Sequence, residues 1–277
     1  LGVIVFLLMI LPDSSAVKLR LTNLELSSLS KEGYRFRSGT TARVMVGVYC
    51  ALTTCLFLLL WAAGMSPFDA LNHAFSTVST GGFSTRNMSI MHYDSVVIDI
   101  ILTVFMILSS MHFGTLFAIA VKRSFKPLRN SVARYYLSLI AIISVIIMLS
   151  LKLQGGYGSW WKALLDSTFQ TASYISTTGF GQADNALWPL LANTLLLFAA
   201  FHCGCSGSTT GGIKADRAFI SIKAIYGEFQ KRLHPNSMFR TRINGRILDE
   251  EAISSVFLYI VLYLFTALVS FTLVLIC

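Results

Sequence analysis

Charged side chains are scarce in this sequence: they make up 13% of its 277 residues, against about 25% in ordinary soluble domains. Hydrophobic residues account for 55% of the chain, and its mean hydropathy is +0.67. A chain this apolar does not stay in solution as a folded domain. We therefore predict an all-α integral membrane protein, with membrane lipid as its surroundings.

Cysteine is also rare, with five residues in the chain. Their number is odd, and all of them lie in or beside apolar segments, which argues against a disulfide framework. We expect reduced side chains that pack among apolar neighbours. The five are Cys50, Cys55, Cys203, Cys205 and Cys277.

Acidic residues are fewer than basic ones, 13 against 22, which gives a net charge of +9. A basic protein raises the question of nucleic acid as a partner, yet 19 of the 22 basic residues fall in three blocks between apolar spans, 13–43, 122–134 and 214–251. Such blocks are typical of the cytoplasmic face of a membrane protein. We therefore predict that these blocks are cytoplasmic and that nucleic acid is not a partner.

The opposite face is predicted to be mildly acidic. A negative vestibule concentrates cations, but short loops also need acidic residues to stay hydrated, so both interpretations stay open. The basic residues of this face are Arg86, Lys152 and Lys162, and its acidic residues are Asp69, Asp94, Asp166 and Asp184.

Five apolar runs approach or reach the length needed to cross a bilayer, about 17 to 25 residues. These runs are 42–64, 96–121, 135–151, 186–202 and 252–277. Two segments between them, 67–78 and 160–175, are too short and too polar to span. Their lengths are typical of re-entrant half-helices.

A Ser/Thr/Gly motif follows each half-helix, STGGFST in one copy and STTGFGQ in the other. Gly82 and Gly179 each precede a phenylalanine and lie 97 residues apart, which indicates an internal repeat of span, half-helix, polar loop and span. The copies look imperfectly aligned, because Phe75 precedes its glycine by 7 residues and Phe169 by 10. Polar backbone in mid-membrane must line a wet or polar path, which we interpret as an ion path.

The composition of these loops favours a cation. Backbone carbonyls replace the hydration shell of an ion where bulky side chains are absent, and half-helices that end at Val78 and Ile175 would direct their negative dipole ends at one point. Threonine hydroxyls add oxygens, and we expect the phenylalanines to wedge the loops against neighbouring helices. The predicted ion-binding residues are Thr80, Gly81, Gly82, Phe83, Thr177, Thr178, Gly179 and Phe180.

Three stretches resemble a known family. They are HAFSTVSTGGFSTRN from His73, FQTASYISTTGFGQADNALWP from Phe169 and FHCGCSGSTTGGIKADR from Phe201. They are similar to the Trk/Ktr/HKT superfamily of potassium transporters, most closely to its bacterial TrkH-like branch. The resemblance implies a four-repeat pore for potassium uptake rather than an enzyme, with no covalent cofactor. It places the potassium ion at Thr80, Gly81, Gly82, Thr178 and Gly179.

The same resemblance implies how the chain divides. The sequence begins and ends within apolar runs, so we expect a central piece of a longer protein. The expected segments are the end of a first-repeat membrane helix at 1–12, a cytoplasmic linker at 13–41, the second pore repeat at 42–121, a cytoplasmic linker at 122–134, the third pore repeat with a broken second helix at 135–230, a cytoplasmic loop at 231–251 and the first helix of a truncated fourth repeat at 252–277.

Residues 203–214 are rich in glycine, serine and threonine. Such a sequence breaks a helix in mid-membrane, which is tolerated only where the backbone lines a cavity. The resemblance implies an intramembrane gating loop below the filter, with Lys214 and Arg217 opening the cytoplasmic half of the helix; close packing of small residues is the alternative. The gating-loop residues are Cys203, Gly204, Cys205, Ser206, Gly207, Ser208, Thr209, Thr210, Gly211, Gly212 and Lys214.

A phosphate-binding loop is an alternative interpretation of GSTTGGIK from Gly207. The Walker pattern requires lysine directly after the last glycine and then serine or threonine. Here Ile213 intervenes before Lys214, and Ala215 follows. The match is therefore weak.

A metal-dependent enzyme is a second alternative, because His202, Cys203 and Cys205 all offer ligand atoms. Zinc sites usually separate their cysteines by two or more residues and add a distant second pair. His73 and His112 stand alone, and we expect each to bond to a neighbouring backbone group.

A structural or receptor membrane protein would explain the charge bias but not the two matched loops. On sequence alone, the segment 214–251 is best interpreted as a solvated connector. The resemblance adds a soluble nucleotide-binding regulatory ring on that face, a homodimer of pore subunits and a location in the cell inner membrane.

Overall fold

A computed structural model describes residues 38–123, 125–234, 242–244 and 246–276. The segment 1–12, most of the linker 13–41, and Cys277 lie outside the described residues. Within the described residues the chain is helical apart from one two-stranded hairpin. Three helices there are long and apolar enough to cross a membrane, or four if one bent pair counts as a single span. The predicted all-α membrane fold is confirmed.

The second repeat contains a spanning helix, a half-helix and a helix in two pieces. Its helices are α1 (Ser38–Ala62), α2 (Pro67–Val78), α3 (Val96–Ser109) and α4 (Phe113–Lys122). Short 3₁₀ turns follow at Ser89–Tyr93 and Lys126–Arg129. Helix α1 packs on α2, α3 and α4, and α2 packs on α3.

The third repeat has the same organisation. Its helices are α5 (Ser131–Leu153), α6 (Trp160–Ile175), α7 (Leu190–His202) and α8 (Ala215–Leu233), with a 3₁₀ turn at Asn185–Leu187. Helix α5 packs on α6, α7 and α8, and α6 packs on α7. Every one of these contacts has its equivalent in the second repeat, so the internal repeat predicted from the sequence is present in three dimensions.

The half-helices have the predicted bounds. Helix α2 begins at Pro67, whose fixed φ and missing N–H suit a first helical position. The Ser66 hydroxyl accepts a hydrogen bond from the Asp69 amide over 3.1 Å and so caps the helix. The predicted run 186–202 forms only the 3₁₀ turn and the short helix α7.

The predicted span 96–121 is not one continuous helix but a bent pair of helices. Helices α3 and α4 meet at an angle of 105°. At the break, the Ser110 hydroxyl donates to the Ile107 carbonyl over 3.1 Å, while the His112 ring nitrogen Nδ1 accepts from the Thr115 amide over 3.2 Å and caps α4. Serine and histidine side chains compete here with the helical ladder, so each repeat has a broken second helix.

The last elements follow the connector. Strands β1 (Arg242–Ile243) and β2 (Arg246–Ile247) pair antiparallel, and helix α9 (Glu250–Ile276) packs on α8. The Asn244 side chain accepts from the Ser131 amide over 3.2 Å and donates to Asn130 over 2.9 Å. The connector is therefore folded in part, and its hairpin docks at the start of α5.

The core consists of one apolar cluster in each repeat. The cluster of the second repeat also includes Phe169, Ala172 and Phe180 from the third, and α3 packs on α6. The two repeats are therefore joined through the half-helix and loop of the third repeat, which is where the predicted ion path lies.

Candidate ion-conduction site

The second-repeat half-helix ends in a Schellman motif. The Thr80 amide donates to the Thr77 carbonyl over 3.1 Å, and the Gly81 amide donates to the Ser76 carbonyl over 2.8 Å. These two bonds satisfy carbonyls that would otherwise be orphaned at the end of a helix inside the membrane. The chain leaves the helix at Thr80 in the left-handed conformation, with φ of 55°.

The third-repeat half-helix ends in the same way. The Thr177 amide donates to the Tyr174 carbonyl over 3.0 Å, and the Thr178 amide donates to the Ser173 carbonyl over 3.0 Å. Thr177 has φ of 57°. Glycine is the usual residue at this position of a Schellman motif, and a β-branched residue there is strained.

The two loops touch each other at the predicted filter glycines. Gly82 and Gly179 have φ of 71° and 84°. A side chain added at Gly82 would overlap the carbonyl oxygen of Thr178, so the missing side chain permits this approach. The structure therefore brings the second-repeat and third-repeat loops together at these residues.

The segments that leave the loops also run side by side. The Gly181 carbonyl accepts from the amides of Ile90 and Met91 over 3.1 and 3.2 Å. The Gly181 amide donates to the Ser89 hydroxyl over 3.2 Å. The contact between the repeats is therefore continuous over several residues beyond the filter glycines.

The two phenylalanines behave differently. Phe180 is 1% exposed and packs in the core of the second repeat, and its carbonyl accepts from the Ser173 hydroxyl over 2.7 Å. Phe83 is 82% exposed among the described residues. The Phe180 ring therefore packs against neighbouring helices, whereas the described residues leave the Phe83 ring largely uncovered.

The apparent misalignment of the repeats came from comparing the wrong phenylalanines. The offset of 97 residues between Gly82 and Gly179 also relates Asp69 to Asp166, and it extends through both Schellman motifs. Phe75 therefore corresponds to Ala172 rather than to Phe169. The half-helix, cap and loop of the two repeats align without a gap.

Two of the four aspartates predicted on the acidic face are buried and hydrogen-bonded rather than exposed to solvent. Asp69 and Asp166 are 4% and 2% exposed. The hydrogen bond from Thr85, together with the Arg86 guanidinium, holds the pKa of Asp69 well below its usual range. Asp69 is therefore ionised but engaged in hydrogen bonds. The other two predicted acids, Asp94 and Asp184, are exposed, and together with the buried Asp166 they line a cavity of about 730 Å³.

The loop 203–214 is seated on the break in the second repeat. The Cys205 amide donates to the Ser110 carbonyl over 2.8 Å, and the Phe113 amide donates to the Gly207 carbonyl over 3.1 Å. At Gly204, an added side-chain carbon would lie 2.6 Å from the Ser110 carbonyl oxygen. The sequence did not predict this contact, because residues 109–112 (SSMH) were interpreted as part of a continuous span.

The same loop is hydrogen-bonded to both predicted filter loops. The Thr80 hydroxyl lies 3.1 Å from the Thr209 carbonyl oxygen and 2.7 Å from the Ser79 carbonyl oxygen, and its hydrogen is shared between them. The Gly211 amide donates to the Thr177 hydroxyl over 3.2 Å. The loop thus contacts the strained threonine of each predicted filter loop.

Charged side chains hold the end of the loop where α8 begins. The buried Lys214 ammonium donates to the Thr210 carbonyl. The Asp216 carboxylate, which the sequence analysis did not single out, accepts from the Ser206 amide over 3.0 Å. The Arg217 guanidinium lies 3.8 Å from the ring centre of Tyr259 in α9. The loop is therefore anchored at both ends.

The histidines are engaged within the fold. The His202 ring bonds to the Tyr135 hydroxyl, and the His73 ring bonds to the Asp69 carbonyl over 2.7 Å. His112 caps α4, so His73 and His112 each bond to a backbone group as predicted. In the part of the chain that the structure describes, no three His, Cys, Asp or Glu side chains are grouped as metal ligands.

Known proteins resemble this chain over nearly its whole length. The family profile "TrkH: Cation transport protein" matches residues 1–276. The Trk system potassium uptake protein TrkH of Salmonella typhimurium is 34% identical over 272 residues, which cover 98% of this chain and 56% of that protein. The Escherichia coli K12 protein of the same name is 33% identical over 272 residues, which again cover 98% of this chain and 56% of that protein.

A solved structure shows the same fold. The crystal structure of the potassium transporter TrkH from Vibrio parahaemolyticus superimposes with a TM-score of 0.79 at 30% identity, covering 92% of this chain and 52% of that one. The chain thus spans about half the length of the relatives it matches. These relatives are named as transporters rather than as enzymes. This chain belongs to the TrkH family of cation transport proteins.

Proposed function

We propose that this chain forms two neighbouring quarters of a selective, channel-like pore for potassium uptake across the cell inner membrane, gated by the loop 203–214. The observation on which this depends is the contact between Gly82 and the Thr178 carbonyl. Two loops with the same backbone course meet there, each at the end of a half-helix. The TrkH relatives of this chain are named for potassium uptake.

Backbone carbonyls of the two loops are the proposed potassium ligands. Positive φ recurs at Thr80 and Gly82, and at Thr177 and Gly179, so the two loops present their peptide groups in the same pattern. A permeating cation exchanges its hydration shell for such carbonyl oxygens. The negative dipole ends of α2 and α6 lie at the loops and stabilise a positive charge there.

The loop 203–214 is the proposed gate. It lies against both filter loops through Thr80 and Thr177, and it is seated on the α3–α4 break. In this position its backbone obstructs the path below the filter. Opening requires the hydrogen bonds that seat this segment to break, and its glycines permit the displacement.

The membrane potential supplies the driving force in this mechanism. It is worth about 2.3 kcal/mol per charge at 100 mV. Because 1.36 kcal/mol corresponds to a factor of ten in an equilibrium constant, this potential accumulates a monovalent cation about 50-fold, and no chemistry at the site is required.

The partners of this protein are also part of the proposal. The named relatives belong to a Trk system, and we propose that this protein likewise acts as a homodimer with a cytoplasmic nucleotide-binding regulatory ring.

Ion flux through the full-length protein in proteoliposomes tests this function. We expect potassium flux that exceeds sodium flux in the wild type. Gly82→Ser and Gly179→Ser should each lower the flux or the preference for potassium. A structural or receptor protein with the same helices would show no flux above that of empty liposomes, and that result would refute the proposal.

A further inference from the structure

A buried carboxylate lies behind each filter loop at the same place in the repeat. Asp69 of α2 and Asp166 of α6 are related by the 97-residue offset. The Asp69 oxygen Oδ1 accepts from the Thr85 hydroxyl over 2.6 Å. The Asp166 oxygen Oδ1 accepts from the Gln182 amide over 2.9 Å. Thr85 and Gln182 are also equivalent, since each follows its filter glycine by three positions.

The second carboxylate oxygen is also bonded in each repeat, with a different partner. The Asp69 oxygen Oδ2 accepts from Arg86 over 2.8 Å. The Asp166 oxygen Oδ2 accepts from the Tyr157 hydroxyl over 2.9 Å. Burial, with the nearby Asp166 carboxylate, raises the pKa of Tyr157, so its hydroxyl remains a donor. Each carboxylate is thus fully engaged in holding the segment around its loop.

A second contact lies one helical turn further along each half-helix. The His73 ring nitrogen Nε2 lies 2.9 Å from the Ser84 hydroxyl. The equivalent residue of the third repeat, Gln170, donates its amide to the Ala183 carbonyl over 3.2 Å. Each half-helix therefore bonds the segment leaving its loop at two points. The repeated arrangement shows that these bonds belong to the architecture of the loops.

The Gln182 side chain, which bonds to Asp166, also bonds to the second repeat. The Gln182 amide that donates to Asp166 lies 3.0 Å from Asp99 of α3. Asp99 is 5% exposed. The segment that leaves the third-repeat loop is therefore bonded both to its own half-helix and to the neighbouring repeat.

We propose that Asp69 and Asp166 are positioning residues that hold the two filter loops in the geometry selective for potassium. This inference rests on the proposed function of the loops. Carbonyl ligands distinguish ions only when the surrounding structure keeps them at the required spacing. A bonded carboxylate behind each loop restrains the exit segment on one side, and the Schellman motif restrains the entry side. The carboxylates therefore act through Thr85 and Gln182 and do not contact the ion.

Attraction of cations by negative charge is the competing explanation for aspartates on this face. The two explanations differ in what asparagine should do. Asparagine keeps the shape of aspartate, and its carbonyl oxygen can still accept the hydrogen bond from Thr85 or Gln182. It has no charge, and its NH2 group replaces the oxygen that accepts from Arg86 or Tyr157, so it keeps only part of the restraint. If the carboxylates act as positioning groups, asparagine preserves part of the selectivity, whereas alanine does not. If charge alone matters, the two substitutions have the same effect.

The experiment measures the potassium-to-sodium flux ratio of the full-length protein in proteoliposomes. Asp69→Ala and Asp166→Ala should lower the ratio by about tenfold, as expected for the loss of hydrogen bonds to a charged group. Asp69→Asn and Asp166→Asn should lower the ratio less than the alanine variants, because asparagine keeps one of the two hydrogen bonds. Asp94→Asn and Asp94→Ala are matched controls, because Asp94 is an exposed acid on the cavity that Asp166 also lines, and both should keep the wild-type ratio.

Thr85 allows the same test without a change of charge. Its side chain is exposed, so Thr85→Val and Thr85→Ser should both fold even if an aspartate-to-alanine variant does not. Valine removes the hydroxyl and should lower the flux ratio, whereas serine keeps the hydroxyl and should preserve it. Thermal unfolding of each purified variant verifies that the folded protein is being compared.

The outcomes separate this inference from the function on which it rests. A selective wild type with an unchanged ratio in folded Asp69→Ala, Asp166→Ala and Thr85→Val would overturn the positioning role and leave the pore intact. Equal losses in the alanine and asparagine variants, together with an unchanged ratio in Thr85→Val, would overturn it in favour of attraction by charge. Absence of potassium flux in the wild type would overturn the proposed function and this inference together.

Discussion

The amide of Gly211 donates a hydrogen bond to the hydroxyl of Thr177 over 3.2 Å, and so joins the loop 203–214 to the cap of a half-helix. Thr177 has φ of 57°, a conformation that a threonine side chain disfavours. Residues held in such regions cost of order 1–3 kcal/mol each and cluster at functional sites. The hydroxyl, which glycine lacks, gives a physical reason for threonine at this position and at Thr80.

Removal of this hydroxyl should weaken the closed position of the loop. Thr177→Val keeps the branched shape and removes the acceptor for the Gly211 amide. The loss of one neutral hydrogen bond, worth about 0.5–1.5 kcal/mol, should raise the fraction of open protein and the basal potassium flux about two- to tenfold. Flux of rubidium into proteoliposomes measures this change.

Thr177→Ser is the matched control, because it keeps the hydroxyl on a smaller side chain. Its basal flux should equal that of the wild type. Lower flux in Thr177→Val than in Thr177→Ser would contradict a closing role for this hydrogen bond.

Alanine at the two filter glycines should have unequal effects. At Gly179 nothing lies within 4 Å of an added side-chain carbon, so alanine meets only the left-handed backbone, which costs roughly 1–2 kcal/mol. At Gly82 the same carbon overlaps the Thr178 carbonyl and must displace a proposed potassium ligand. Gly82→Ala should therefore lose more potassium selectivity than Gly179→Ala in the flux assay. Equal losses would show that the two loops do not touch at Gly82.

Two glycines of the loop 203–214 allow a test of its contact with the α3–α4 break. Gly204→Ala places a carbon 2.6 Å from the Ser110 carbonyl oxygen, so the loop must move away from the α3–α4 break. Overpacking of this kind costs about 1–3 kcal/mol, which should lower the unfolding temperature of the purified protein. Gly211→Ala meets no atom within 4 Å and should leave that temperature unchanged.

A cysteine introduced into a basic loop should react with a membrane-impermeant reagent from the cytoplasmic side only. Arg129 and Asp184 are both exposed and lie in loops that the charge bias assigns to opposite faces. A single cysteine at Arg129 should react with a membrane-impermeant maleimide only in inverted vesicles, and one at Asp184 only in right-side-out cells. The five native cysteines, of which Cys50 and Cys55 are exposed, must first be replaced. The reverse pattern would contradict the predicted orientation.

Local signals made the half-helices predictable. Pro67, its preceding serine and the glycines after each helix are neighbours in sequence of the elements they begin or end. The bounds of α2 and α6 therefore followed from the chain itself, as did the four-part repeat. The break between α3 and α4 was missed because a run of apolar residues looks the same in a straight helix and in a bent one.

Contacts between distant residues could not be predicted in this way. Asp69 and Asp166 were grouped in the sequence with the acids of the acidic face, but both side chains are buried and bonded to the segments that follow the predicted filter loops. The seat of the gating loop joins residues about a hundred positions apart, such as Cys205 and Ser110. Such contacts arise from packing, which no local pattern specifies.

By itself the sequence determined a membrane protein of helices, half-helices and two glycine-bearing polar loops, because hydropathy, capping and turn chemistry act between near neighbours. The tertiary structure alone decided that these loops meet, that the segment 203–214 lies beneath both of them, and that a bonded carboxylate stands behind each one. These relationships depend on the close packing of two repeats against each other, in which the missing side chain of Gly82 permits the contact with Thr178.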